Sequence, residues 1–87
     1  MTVTFFGNIA KYTNGDKEYT PKQSITTLRE LLHELCGYYG EQFEAFVYGN
    51  ETCLILVNGK GIALSGGLDS PLGDGDRVEI LPFVTAG

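Results

Sequence analysis

Apolar residues in this chain change their spacing several times, and each change marks a predicted element. From Thr2 to Phe6 they alternate, with Val3 and Phe5 on one face, which predicts an opening strand that Gly7 ends. The stretch from Gly7 to Thr13 has no period that decides its form. Asn14-Gly15 is a tight-turn signal, and Lys17-Glu18-Tyr19-Thr20 then reads as a short polar strand at a sheet edge, closed by Pro21.

A helical period follows. Thr27 and Glu30 have capping-box spacing, and Leu28, Leu31, Leu32 and Leu35 fall at i, i+3, i+4 and i+7 to make one apolar stripe. Arg29, Glu30, His33 and Glu34 point away from it, and Gly37 is placed to stop the helix in a left-handed conformation. Phe43, Phe46 and Val47 keep helical spacing, which favours one short helical turn under the sheet over a strand, until Gly49-Asn50 breaks the chain. Cys53 to Val57 is apolar at every position, so either both its faces are covered or one is kept for a partner, around Leu54 and Leu56. Asn58-Gly59 signals a hairpin into a short strand at 60–63, a turn-rich loop occupies 66–76, and the last strand ends at Leu81. The long connection through the helix favours the first and last strands pairing in parallel at the centre of a mixed sheet, packed on the leucine stripe as a two-layer α+β domain.

With 87 residues the chain makes one domain, which buries only about 60–65% of its unfolded surface. Two parts are expected: a folded body over 1–81 and a flexible C-terminal tail over 82–87. No apolar run nears the about 18 residues of a bilayer span, and the first residues lack a basic leader, so a cytoplasmic protein without a membrane partner is expected. The net charge of -5 argues against a nucleic-acid partner and suits a basic protein surface.

Candidate chemistry is sparse. Cys36 and Cys53 have no CxxC spacing, and the single His33 completes neither a zinc set nor a catalytic triad, so no metal and no resident cofactor are expected. Gly59-Lys60-Gly61 and Gly66-Gly67 lack the phosphate-loop pattern, and Asp69, Asp74 and Asp76 lack the calcium-loop spacing. What remains is the uncharged tail, Pro82-Phe83-Val84-Thr85-Ala86-Gly87, a poor core element that could be threaded into another protein's active site. Extended, it spans roughly 20 Å. Gly87 is read as its working end.

Val57-Asn58-Gly59, the run from Gly67 to Pro82 containing Asp74-Gly75-Asp76, the opening Phe5-Phe6-Gly7 and the Thr27–Leu32 helix start together resemble the MoaD/ThiS sulfur-carrier family, in particular the small subunits of molybdopterin synthases. The resemblance covers nearly the whole chain and implies a ubiquitin-like β-grasp of about four to five strands on one main helix. It further implies a carrier rather than an enzyme. An ATP-dependent, ubiquitin-activating-like adenylyltransferase would activate Gly87, and a persulfide would convert it to a thiocarboxylate. The large synthase subunit, which would hold the catalytic groups, would take that sulfur for the molybdenum or tungsten cofactor. Ala86 and Thr85 would fill the partner's channel, and Pro82, Phe83 and Val84 would anchor it. Acyl-adenylate and thiocarboxylate are then transient covalent states. Two departures stand out: the family usually ends in two glycines where this chain has Ala86, and Phe83 stands where a second proline is common. Two alternatives stay open: a carrier serving thiamine, cysteine, thiolated tRNA or protein lysines, and a non-reacting β-grasp module of a larger oxidoreductase.

Overall fold

A computed structural model describes residues 1–49, 53–62 and 67–82. Five strands form one sheet: β1 (Thr2–Phe5), β2 (Glu18–Tyr19), β3 (Cys53–Val57), β4 (Lys60–Ile62) and β5 (Arg77–Pro82), in the order β2-β1-β5-β3-β4. β1 and β5 are parallel and central, with Val3 opposite Val78 and Phe5 opposite Ile80. All other pairings are antiparallel. A 3-10 helix (Gly7–Tyr12) and two α-helices, α1 (Leu28–Tyr39) and α2 (Glu41–Gly49), complete the described elements. This is the α+β, mixed-sheet architecture read from the sequence, with β2 at the edge as expected.

The period-2 pattern separates the two faces of the sheet. Val3, Phe5, Ile55, Val78 and Ile80 are buried against the helical layer, where Leu28, Leu31, Leu32 and Leu35 of α1 form the other half of the core. Thr27 caps α1: its side chain accepts from the Glu30 N–H while the Glu30 carboxylate accepts from the Thr27 N–H. Phe43, Phe46 and Val47 are also buried, so the short turn expected there is a nine-residue helix.

Two expectations change. Gly37 does not stop α1. The helix continues to Tyr39 and ends at Gly40, whose φ of 99° and ψ of -169° few side chains tolerate. The extra turn is held by packing: the Tyr39 ring meets Phe5 edge-on at 5.6 Å, and its hydroxyl donates to Asp16 Oδ2 (2.9 Å). The last strand also runs one residue further than the sequence reading, because Pro82 still pairs with Cys53. The undecided stretch after Gly7 is the 3-10 helix, which buries Ile9 against the same core. Residue 63, expected in the fourth strand, lies outside the described residues.

Candidate functional site

The end of β5 is where the candidate tail leaves the body, and the strands around it fix that point. In the parallel pair, the Phe6 N–H donates to the Ile80 carbonyl (2.9 Å). Continuing that ladder would need an N–H from residue 82 to reach the Phe6 carbonyl, and proline has none. Pairing on the β1 side therefore stops at Pro82, while on the β3 side Pro82 keeps Cys53 as its neighbour.

Directly beside this point the chain turns at Gly7, with φ of 67°. A Cβ built on Gly7 would fall 3.0 Å from Pro82 Cγ and 3.1 Å from Cδ, tighter than side chains normally pack. Phe6, 43% exposed, stands next to it and faces away from Phe5. Neither Gly7 nor Phe6 was among the sequence-derived site residues. The signal was there: Phe6 breaks the alternation at the position where glycine ends the strand.

The outer face of the sheet adjoins the same end. Leu54 lies opposite Leu81, and Leu56 lies opposite Glu79, which in turn neighbours Thr4 on β1. These residues are half-buried, and no described helix covers them. Both leucines reach towards Gly61 of β4, where a Cβ would make ordinary van der Waals contact with Leu54 Cδ1 and Leu56 Cδ2 at 3.8 Å. The apolar run through β3 is thus explained by two environments: Ile55 feeds the core, and Leu54 and Leu56 make an apolar patch beside the tail root.

Of the sequence-derived site residues, only Pro82 is described; Phe83, Val84, Thr85, Ala86 and Gly87 lie outside the described residues. Burial pushes the Cys53 thiol up to about 11, and burial together with the nearby Glu44 carboxylate does the same for Cys36. Both are therefore protonated at neutral pH and poor nucleophiles. His33 is exposed on α1. Asp76 pins the turn before β5, accepting from Asn58 Nδ2 (2.9 Å) and the Gly73 N–H (2.8 Å). Among the described residues no group of three or more His, Cys, Asp or Glu could hold a metal, and no helix is long and apolar enough to cross a membrane. Two open clefts of about 400 and 420 Å³ flank α1 and share Arg29 and His33, remote in sequence from the strand ends that build the tail root.

No curated protein matches the chain. Solved structures do. The chain is similar to the Amycolatopsis orientalis BexX/CysO complex, at 26% identity and a TM-score of 0.76 over 99% of this chain and 98% of that one. It is similar to small archaeal modifier protein 1 from Methanosarcina acetivorans, at 28% identity and a TM-score of 0.73 over 99% and 94%. It is also similar to the complex of subunits 1 and 2 of molybdopterin-converting factor from Helicobacter pylori, at 29% identity and a TM-score of 0.64 over 99% and 96%. The ThiS family matches residues 3–87, so the chain belongs to the ThiS/MoaD family of ubiquitin-like β-grasp sulfur carriers.

Proposed function

We propose that this chain carries sulfur as a thiocarboxylate on Gly87 and delivers it to a molybdopterin synthase large subunit for dithiolene synthesis. The observation that carries the reading is a family match that continues through the tail to residue 87, beyond a central strand that ends at Pro82. A carboxylate of pKa about 3.3–3.7 is ionised at neutral pH and resists attack at carbon. Its oxygen would displace pyrophosphate from ATP on the adenylyltransferase, giving an acyl-adenylate. A persulfide sulfur would then displace AMP. Reductive cleavage of the resulting acyl disulfide by a second thiol leaves the thiocarboxylate, a soft nucleophile on a narrow arm. Glycine at the reacting end adds no Cβ to crowd the carbonyl.

This chain would supply the acyl group and a docking surface, while the catalytic groups belong to its partners. Protonated Cys36 and Cys53 leave the activated carbonyl without a competing internal thiolate. In this reading Ala86 and Thr85 fill the partner's channel, and Pro82, Phe83 and Val84 anchor the tail at its mouth.

A second reading changes only the acceptor. It is favoured by the better superposition on the CysO complex (TM-score 0.76) than on the molybdopterin-converting factor complex (0.64). Intact-mass measurement after incubation with ATP, the activating enzyme and a sulfur donor tests the carrier chemistry. One oxygen replaced by sulfur, confined to the C-terminal peptide, is the expected result. An unchanged mass would leave a non-reacting binding module. Supplying the loaded carrier to a molybdopterin synthase large subunit with its pterin precursor then separates the two acceptor readings.

A further inference from the structure

We propose that Gly7 is a positioning residue that aims the tail, by leaving the space in which the Pro82 ring sits. The inference rests on the carrier reading above.

Three observations converge on this junction. Pro82 is the last described residue of β5 and pairs with Cys53, which makes it the described root of the tail. On the β1 side its missing N–H removes the hydrogen bond that would otherwise hold it to Phe6, leaving the ring's packing as the restraint on that flank. The residue supplying that packing surface is Gly7, whose absent side chain would lie 3.0 Å from Cγ and 3.1 Å from Cδ.

Small errors at this root are amplified along the tail. Held extended in a partner's channel, five residues would span about 17 Å, and a tilt of about 10° at Pro82 would move the far end by about 3 Å. A misplacement near 1 Å at a reacting atom can cost on the order of a hundredfold in rate. A side chain at position 7 should therefore impair the chemical step more than the docking of the body.

The test compares Gly7→Ala with Gly15→Ala. Both glycines have left-handed φ, 67° and 85°, but nothing lies within 4 Å of a Cβ at Gly15. Backbone strain is thus common to both variants, and only Gly7→Ala disturbs Pro82. With ATP–pyrophosphate exchange on the cognate activating enzyme as the readout, Gly7→Ala should lower kcat about tenfold and leave KM within about twofold. Gly15→Ala should keep both constants while melting at a lower temperature. Because Pro82→Ala removes Cγ and Cδ, adding Gly7→Ala to it should lower kcat no further than Pro82→Ala does alone. If Gly7→Ala does not fold, Gly7→Asn keeps a Cβ on a residue that tolerates left-handed φ. Equal kcat for the Gly7 and Gly15 variants, or an undiminished further loss when Gly7→Ala is added to Pro82→Ala, overturns the proposal while the carrier reading stands. A wild-type chain that supports no exchange overturns both.

Discussion

At Glu30 one carboxylate oxygen accepts from the Thr26 N–H (2.7 Å), the Thr26 hydroxyl (2.6 Å) and the Thr27 N–H (3.2 Å). The Thr26 hydroxyl, followed by the two backbone donors, holds the Glu30 carboxyl below its ordinary value of 4.5. A depressed folded-state value favours the ionised form, so the associated stability is present above that ordinary value. It is lost as pH falls through the lower, folded one. Glu30→Gln should therefore flatten the dependence of urea-unfolding stability on pH on the acid side of 4.5. An unchanged acid slope would show that this carboxylate is not linked to folding. Removing the other half of the box, Thr27→Ala, should cost about 1 kcal/mol at neutral pH. This motif was legible in the sequence because donors and acceptors lie within five residues of one another. The Gly7–Pro82 contact was not, since it joins positions whose proximity exists only once the first and last strands lie parallel.

The end of α1 shows the same contrast between local and distant determinants. Gly37 reads as the helix stop in sequence because it follows the end of the apolar stripe at Leu35 by two residues, yet the helix ends at Gly40. What carries the helix on is Tyr39, wedged among Phe5, Phe43 and Tyr19 and bonded to Asp16, partners drawn from three other parts of the chain. The two glycines should consequently respond in opposite directions. Nothing lies within 4 Å of a Cβ on Gly37, and its backbone is helical, so Gly37→Ala should stabilise the protein by up to about 1 kcal/mol. Gly40→Ala meets no clash but must adopt φ of 99°, and should destabilise by about 1–3 kcal/mol. Denaturant unfolding of the two variants checks both signs, and equal shifts would move the helix end back to Gly37. The parallel pairing of β1 and β5 was readable for a different reason: a connection this long, with a helix inside it, favours a parallel crossover whatever its details. The loop contributions to the core were not readable. Ile25 and Leu72 are buried, yet they sit in segments without any apolar period.

Across the whole molecule the sheet divides the labour. Its inner face and the helices supply stability, while its outer face carries Leu54, Leu56 and Leu81 beside the point where the tail departs. In the proposed carrier function, an apolar patch beside the tail root gives a partner something to grip before the chemistry begins. The patch and the junction at Gly7 should then govern different kinetic constants. Leu54→Glu places a charge on the outer face, opposite Leu81, without entering the core, so its effect on unfolding free energy should stay under about 1 kcal/mol. In the same exchange assay it should raise KM at least about tenfold, a loss of roughly 1.4 kcal/mol in affinity, with kcat held. That is the reverse of the pattern expected for Gly7→Ala. If Leu54→Glu leaves KM untouched while the fold stays intact, the partner grips elsewhere, and the helical layer with its two clefts beside Arg29 and His33 becomes the surface to substitute next. If it lowers kcat and KM together, docking and tail delivery are a single event, and the division between face and junction does not hold.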